Sequence, residues 1–416
     1  MVKKTIYTVV FVAVLVSLTA STTYLRKQQT TSETLFHEYA SSQHATLVHS
    51  THNTIVDSAN RLTPLINKLK RIKQGSYEVV SIVHIGDSHV QAGYIDEPIR
   101  QYFKRDFGDA GAGLIVPLKL IKTNQPLHFS ITSPNKWNGL TVINDRKEDE
   151  VGLTGMRISS NDKHITFNIT SEYPFNTIRA FHHPLAPPLR LPNSITGLFY
   201  DLPDSLPSLS TIYLNNSVTQ ISLTASITEN QFHHTYYGFS LETRDPGVLI
   251  HAIGINSAAF AHYNNNPQII NQLTALSPDL IVVALGTNDS FGNNYVASSV
   301  QSQIARFTDI CIATLPNTPL LFVTPMEGCS SKIVKRKRTY SVNRNIATTG
   351  EMIIQTARNY SMPYWDLYNA AGGMGSNKCW TDQGLMGKDR LHLTIEGYTL
   401  QADMWYEAFT EVYNMR

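Results

Sequence analysis

A serine stands at the end of an apolar segment, in a position where it could act as a nucleophile. Residues 79–85 are mostly β-branched and stop at Gly86, which is followed by Asp87 and Ser88. Such a run is typical of a buried parallel strand, and open α/β sheets bind ligands beyond the carboxyl ends of these strands. There Ser88 could attack a carbonyl carbon, provided that a base accepts its proton. A structural interpretation also fits, since Asp87 or Ser88 could cap the next helix, which the pattern predicts over residues 95–107.

Polar residues that could assist this serine occur in three later stretches. Two further apolar segments end near Gly254 and Asn288, and Asp389 precedes His392 by three positions. An imidazole titrates near neutrality, so His392 could accept the proton of Ser88, and Asp389 could orient the ring. The backbone N–H groups of Ser88 and Gly254 and the side-chain amide of Asn288 could donate hydrogen bonds to an oxyanion. Considered singly, these residues also fit structural roles as a turn former, a strand-end glycine, a helix cap and a loop histidine.

Together, four short motifs resemble those of the SGNH (GDSL) hydrolase superfamily, whose blocks contribute Ser, Gly, Asn and His in this chain order. They are Gly-Asp-Ser-His at 86–89, Gly-Ile-Asn-Ser at 254–257, Gly-Thr-Asn-Asp at 286–289 and Asp-x-x-His at 389–392. The resemblance extends over residues 75–125 and 245–416. It implies an α/β fold of three layers, in which helices flank a parallel sheet. It also implies a carboxylic ester hydrolase with Ser88, Asp389 and His392 as catalytic residues.

Composition limits the remaining function classes. At 416 residues the chain exceeds the usual size of one domain. Hydrophobic residues at 42% and aromatic residues at 10% suffice for packed cores. A net charge of +2 indicates no polyanion-binding surface, and no motif of a nucleic-acid-binding protein occurs. The spacing of Cys and His suggests no zinc site, so we expect catalysis with neither a metal ion nor a cofactor.

The N-terminus is typical of a targeting segment. Lys3 and Lys4 precede an uncharged stretch whose apolar part, residues 6–18, is short for a membrane-spanning helix. Residues 1–27 are therefore either a signal peptide or a membrane anchor, and both place the remainder outside the cytoplasm. Residues 28–54 are polar and predict a spacer or a loose leading helix.

Two further segments next to the hydrolase motifs admit simple interpretations. Apolar residues at helical intervals predict a helix over 55–72. The glycine-rich residues 108–113 follow a predicted helix instead of a strand, so they lack the context of a dinucleotide-binding motif and predict a flexible loop.

A run of positive charge follows Pro325. It consists of Lys332, Lys335, Arg336, Lys337 and Arg338. Such runs are usually solvated loops, but this one could also line the rim of the cleft and meet carboxylates of a substrate.

The pattern of apolar and polar residues changes between residues 125 and 245. Short alternating runs, separated by Pro, Asn, Asp and Ser, predict an all-β sandwich. It would be inserted into a hydrolase domain split between residues 55–124 and 246–416. Its aromatic residues could fill the sandwich core or stack on sugar rings; they include Trp137, Tyr200, Tyr213, Tyr236 and Tyr237.

The layout as a whole is similar to that of the peptidoglycan O-acetylesterases of Gram-negative bacteria, in which the sandwich resembles a carbohydrate-binding module. The Gly-Gly-Met-Gly-Ser stretch at 372–376 is similar to one in exported members of this branch. The resemblance implies an exported, periplasmic or inner-membrane-attached serine esterase that removes O-acetyl groups from a cell-wall glycan, most simply peptidoglycan. Alternatives are an O-acetyltransferase, a deacetylase of xylan-type polysaccharides, and a glycan-binding protein without catalysis.

Three cysteines are present. Cys311 lies in an apolar stretch and is expected to be a buried thiol. Cys329 and Cys379 follow predicted strands in loops, and in an oxidising compartment they could form a disulfide or remain two separate thiols.

Overall fold

The computed structural model describes residues 44–144, 150–202, 205, 207–228, 233–292 and 294–416. The predicted signal peptide or anchor, residues 1–27, and most of the predicted spacer lie outside the described residues. Within the described ranges no helix combines the length and the hydropathy that a membrane span requires.

Sixteen strands and ten α-helices make up the described part of the chain. The strands are β1 (Ile55–Val56), β2 (Val79–Gly86), β3 (Gly111–Ile115), β4 (Phe129–Thr132), β5 (Asn138–Thr141), β6 (Met156–Ser160), β7 (His164–His182), β8 (Gly197–Leu202), β9 (Ser208–Ser226), β10 (His234–Glu242), β11 (Gly247–Gly254), β12 (Leu280–Ala284), β13 (Leu320–Val323), β14 (Cys329–Val334), β15 (Lys337–Val342) and β16 (Tyr364–Trp365). The helices are α1 (Thr63–Lys73), α2 (Ser88–Gln91), α3 (Asp96–Phe107), α4 (Phe260–Asn265), α5 (Gln268–Gln272), α6 (Ala297–Thr314), α7 (Asn345–Asn359), α8 (Leu367–Ala370), α9 (Ser376–Asp382) and α10 (Ile395–Asn414).

A six-stranded sheet in the order β1-β16-β13-β12-β2-β11 forms the centre of the hydrolase part. Its strands are parallel except β1, which pairs antiparallel with β16. Successive side chains of a strand face opposite sides: Val80 and Ile82 belong to one buried cluster, and Val83 and Ile85 to another. Helices α1, α3 and α10 cover the first side and α4 to α7 the second. The predicted α/β fold of three layers is confirmed.

Strand register brings the motif-bearing strand ends together. β2 lies between β11 and β12, and Gly86 pairs with both Gly254 and Ala284. The segments that follow these three residues therefore emerge side by side at the carboxyl edge of the sheet, where a ligand crevice is expected.

The second large sheet is antiparallel and contains eight strands, from β3 to β10. Two of them, β7 and β9, are 19 residues long, whereas the sequence predicted several short strands. The sheet folds over on itself. Phe167 lies 5.1 Å from Tyr236, ring centre to ring centre, although Tyr236 pairs with His182. On a straight strand, Phe167 and His182 would be roughly 50 Å apart, so β7 bends sharply and creates two packed layers.

This β-rich part begins earlier than predicted and shares its core with the hydrolase sheet. The loop expected at residues 108–113 instead runs into β3, which pairs with β10. Gly113 has φ +72°, and a Cβ there would lie 2.4 Å from the carbonyl oxygen of Ile250, so glycine permits close packing of β3 against β11. One continuous apolar cluster joins Leu114 of β3 to Ile253 of β11.

The segment before β2 also differs from the prediction. Residues 55–72 form β1, a turn and α1, because Asn60 adopts a left-handed conformation and Pro64 opens the helix. Within the predicted spacer, His44, Val48 and Asn53 are buried, and Asn53 accepts a hydrogen bond from the Trp365 ring nitrogen (3.0 Å).

All three cysteines are free thiols. Cys311 is buried, as expected, and Cys379 is exposed. Cys329 is buried with its Sγ 3.3 Å from the side-chain oxygen of Asn377, so the suggested disulfide is absent from the described structure.

Of the five aromatic residues considered for sugar stacking, three fill the core and two face outwards. Trp137 stacks on Phe167 at 4.8 Å, and Tyr236 and Tyr237 are buried. Tyr200 and Tyr213 are 57% and 37% exposed on neighbouring strands β8 and β9.

Candidate active site

A tight strand-to-helix turn presents Ser88. Gly86 ends β2, and a Cβ there would lie 2.3 Å from a Val90 methyl, so the turn requires glycine. Asp87 is fully buried and caps α2, accepting a hydrogen bond from the His89 N–H (2.9 Å). Ser88 is the first residue of this one-turn helix and is half-buried. Asp87 therefore caps the helix, and the next residue, Ser88, is the half-buried serine.

Ser88, His392 and Asp389 form a continuous hydrogen-bonded chain. The Ser88 Oγ lies 2.7 Å from the His392 Nε2, and the His392 Nδ1 lies 2.7 Å from the Asp389 Oδ2. Because Nδ1 faces a carboxylate, it carries the proton, which leaves Nε2 free to accept the proton of the serine hydroxyl. This arrangement can activate a serine for attack on an ester.

The carboxylate at the end of this chain is held in its ionised form. Burial raises the pKa of Asp389, but hydrogen bonds from the His392 ring and from the N–H groups of Leu391 and His392 outweigh burial. The net pKa lies below its usual value. A negative charge at this position would stabilise an imidazolium if His392 accepted a proton.

Neighbouring segments fix the loop that carries Asp389 and His392. Arg390 adopts a left-handed conformation, φ +57°, which turns the chain between the two residues. Its carbonyl oxygen accepts hydrogen bonds from the Asn377 side chain and the Cys329 N–H, both at 2.9 Å. The orientation of the triad thus depends on residues that the sequence motifs do not include.

His89, which sequence reasoning left without a role, lies directly beside the triad. Its ring centre is 5.0 Å from that of His392, and its Nδ1 is 2.8 Å from the Tyr398 hydroxyl. Burial lowers the pKa of His89 below its ordinary value, so the ring is neutral at pH 7 and adds no positive charge next to His392. Its position immediately after Ser88 was the only signal available in the sequence.

The two other candidates for an oxyanion hole, Asn288 and Gly254, both contact the turn that carries Ser88. The Asn288 amide donates to the Asp87 Oδ2 (3.1 Å) and to the Ala258 carbonyl oxygen (2.9 Å). Gly254 packs on α2, and a Cβ there would lie 2.1 Å from the Gln91 nitrogen. Both residues therefore also support the turn around Ser88.

Asp289, next to Asn288, has a strongly perturbed carboxyl group. Burial, together with the charge of Asp87, raises its pKa from 3.8 to about 7, against the opposing hydrogen bond from the Phe260 N–H. Between about pH 4 and 7 the folded protein therefore holds a proton on this group that the unfolded chain does not hold.

We expect this proton to make stability pH-dependent. The contribution is fully present below about pH 4 and is lost as the pH rises through about 7. Asp289→Asn keeps an oxygen for the Phe260 N–H but cannot ionise, so its unfolding free energy should fall less than that of the wild type between these pH values. Denaturant unfolding at both ends of the interval measures the difference, and parallel pH profiles for the two proteins would contradict the assignment.

Comparison with known proteins identifies a similar family and similar structures. Residues 218–400 match the GDSL-like lipase/acylhydrolase family. This segment, less than half of the chain, is similar to the GDSL-like hydrolases. The likeness supports an esterase. The match contains Gly254, Asn288, Asp389 and His392, whereas Ser88 precedes it because the β-rich strands separate the first motif from the others. No curated protein matches the chain significantly.

Solved structures align with this chain over different lengths. A structure described as a peptidoglycan O-acetylesterase in action is 21% identical, with a TM-score of 0.72, and the alignment covers 87% of this chain and 99% of that one. A match of this extent includes most of the β-rich part. A lipase/acylhydrolase from Enterococcus faecalis (16% identity, TM-score 0.30, 40% and 77% coverage) and an acetyl xylan esterase (18%, 0.31, 39% and 81%) align over smaller portions of the chain.

Proposed function

We propose that this hydrolase is an exported O-acetylesterase that removes acetyl groups from a cell-wall glycan through Ser88, His392 and Asp389. The observation that carries the proposal is the unbroken chain of 2.7 Å contacts from the serine hydroxyl to the carboxylate. It lies at the carboxyl edge of the sheet, where substrates of this fold class bind.

The reaction proceeds in two halves through an acyl-enzyme. The Ser88 Oγ attacks the ester carbonyl carbon while its proton passes to the His392 Nε2. The tetrahedral intermediate then collapses, the proton moves to the departing sugar oxygen, and the acetyl group remains on Ser88. In the second half, His392 takes a proton from water and the hydroxide attacks the acetyl carbon. Acetic acid leaves as the proton on His392 returns to the Ser88 Oγ, and the acid then ionises to acetate in solution.

Negative charge on the carbonyl oxygen needs donors during both halves. The proposed donors are the backbone N–H groups of Ser88 and Gly254 and the side-chain amide of Asn288. Because the Asn288 amide already donates to Asp87 and Ala258, the oxyanion would share or replace the longer bond to Asp87. Asparagine suits this role since it stays neutral at every working pH.

The likeness to a structure described as a peptidoglycan O-acetylesterase, which includes most of the β-rich part, supports peptidoglycan as the glycan. The deciding experiment measures acetate release from O-acetylated peptidoglycan and from acetylated xylan, with transfer of acetyl to a soluble glycan acceptor measured in parallel. The proposal expects preferential release of free acetate from peptidoglycan. Preference for xylan would change the substrate, and acetyl transfer exceeding acetate release would change the reaction to transfer.

Asn288→Ala is expected to slow acylation without abolishing it. Loss of one oxyanion donor lowers kcat by about 10²–10³. A matched control is Asn343→Ala, since the Asn343 amide donates to the Ser290 carbonyl oxygen of the same turn (2.9 Å) without contacting Asp87. Steady-state kinetics on an aryl acetate should show the loss in kcat for Asn288→Ala only. A change confined to KM would instead assign Asn288 to substrate binding.

Activity is expected to survive chelation of metal ions. Within the described ranges, no group of three or more His, Cys, Asp or Glu side chains could hold a metal ion, and Ser88 with His392 supplies both nucleophile and base. Dialysis against EDTA should leave the rate of aryl acetate hydrolysis unchanged. Loss of activity that a divalent ion restores would contradict this expectation.

A further inference from the structure

Strands β14 and β15 form a separate two-stranded antiparallel hairpin, called here the basic hairpin (residues 329–342). It carries a dense group of exposed cations and no acidic residue: Lys332, Lys335, Arg336, Lys337 and Arg338. None of these five forms a salt bridge with another residue that the structure describes. The net charge of +2 for the whole chain hides this local concentration.

The backbone conformation of the turn does not explain why the two residues at the tip are Lys and Arg. Lys335 and Arg336 form the two-residue turn, with φ +48° and +67°. Turns with two left-handed residues favour Asn-Gly, because Gly has no Cβ and the short polar side chain of Asn tolerates this conformation better than longer side chains do. The chain therefore places cations at positions whose conformation selects against them, which indicates that their charge serves a purpose.

The basic hairpin is attached to the loop of the proposed triad. The Tyr340 hydroxyl donates to the Lys388 carbonyl oxygen, and the Arg390 guanidinium lies over the Tyr340 ring at 4.6 Å. The Cys329 N–H also donates to the Arg390 carbonyl oxygen (2.9 Å). Lys388 and Arg390 flank Asp389, so the hairpin begins immediately beside the triad. Each of its strands has six residues and spans about 20 Å.

We propose that the basic hairpin is a subsite for carboxylate groups of a polymeric substrate whose acetyl ester lies at Ser88. The inference rests on the proposed function and narrows the substrate class to an acetylated glycan that bears carboxylates, as peptidoglycan does through its peptides. A polymer positioned at the triad extends beyond it, and unpaired guanidinium and ammonium groups there attract carboxylates. An anionic lipid surface is the competing partner, but attachment to the Asp389 loop favours the substrate.

The test compares two triple variants with the same residue types. Lys335→Gln, Arg336→Gln and Lys337→Gln neutralise the hairpin. Lys70→Gln, Arg71→Gln and Lys73→Gln neutralise the end of α1, where Arg71 pairs with Glu78 just before β2, at the opposite edge of the sheet.

On O-acetylated peptidoglycan, the hairpin variant should lose on the order of tenfold in kcat/KM, the combined effect of three exposed ion pairs. The loss should shrink as salt rises. Both variants should keep wild-type kcat/KM on a small aryl acetate and on neutral acetylated xylan. Equal losses on the aryl acetate and on the polymer would make the hairpin structural, and an unchanged rate on peptidoglycan would overturn the proposal.

A second variant separates charge from folding. Lys335→Asn with Arg336→Gly supplies the residues that the turn favours, so its Tm should equal or exceed that of the wild type. It should nevertheless lose activity on peptidoglycan. Retained activity would show that the charge at the tip is irrelevant.

Binding is measured independently of catalysis by cosedimentation with insoluble peptidoglycan, before and after its carboxylates are amidated. Hairpin-dependent binding that disappears on amidation is expected even if the wild type releases no acetate, in which case only the proposed function fails. Hairpin-dependent binding to phosphatidylglycerol vesicles, with unchanged binding to peptidoglycan, would assign the surface to lipid and overturn the inference.

Discussion

Ser88→Ala is expected to lower kcat on an aryl acetate by a factor on the order of 10⁶, since a triad without its nucleophile loses nearly all of its rate enhancement. The substitution removes one hydroxyl from a half-buried position at the start of α2. The Tm should therefore stay close to that of the wild type. Steady-state kinetics on protein freed of host esterases, with thermal unfolding as the control, make the measurement.

A double variant makes this prediction more stringent. Residues that act as one catalytic unit show strongly non-additive effects, and the Ser88 Oγ lies 2.7 Å from the His392 Nε2. Adding His392→Ala to Ser88→Ala should therefore lower the residual rate very little. A further large loss would mean that His392 acts on some nucleophile other than Ser88.

Asp389→Asn is expected to lower kcat by a factor on the order of 10⁴, because an amide in place of the carboxylate favours the wrong tautomer of His392. The Asp389 Oδ1 accepts hydrogen bonds from two backbone N–H groups, and asparagine retains an oxygen for these, so the loop should keep its conformation. Asp382→Asn is the matched control, since Asp382 is also an exposed carboxylate but pairs with Lys378. A loss of less than tenfold for Asp389→Asn would mean that the carboxylate does not orient the base.

The hydrolase sheet could be predicted because its strands are continuous apolar runs. β2, β11 and β12 are buried on both faces, and such strands contain few polar interruptions. β2 and β11 end at motif glycines, and β12 ends two residues before Gly286. Parallel strands bring their carboxyl ends to one edge, so the meeting of these motif segments follows from pattern alone. The pairing of Asp389 and His392 with Ser88 was instead expected from the Asp-x-x-His motif and its family resemblance, because these two residues do not end a strand.

The β-rich part was harder to predict because the same polar residue types occur both on exposed faces of strands and in turns. In β7 and β9, Asn, Ser and Thr alternate with buried apolar residues and face solvent, whereas in a sequence the same residue types mark turns. The two strands were therefore divided into short runs. Gly111 and Gly113 were likewise interpreted as parts of a loop. In the structure, glycine at these positions permits close packing of strands.

Residues that support the candidate site could not be found from motifs because their partners are distant in sequence. Asn377 donates to the Arg390 carbonyl oxygen and also to that of Glu327. Tyr398 contacts His89 across 309 positions of the chain. Contacts of this kind depend on how loops pack together, which short-range patterns do not contain.

The shared core also restricts how the β-rich part can be studied. Leu114, Phe239 and Ile253 belong to a single buried cluster, so replacing residues 125–245 by a short linker would expose apolar surface of the hydrolase sheet. Substitutions of outward-facing side chains, such as Tyr200 and Tyr213, leave this core intact.

The central claim is that Ser88 is the nucleophile of a serine esterase, and covalent labelling tests it most directly. An alkyl phosphonate reacts with a serine only when a base and oxyanion donors activate it. Incubation of the wild-type protein followed by peptide mapping should find the label on Ser88 alone, with loss of activity in proportion to labelling. Absence of label on Ser88, or full activity after stoichiometric labelling there, would contradict the account.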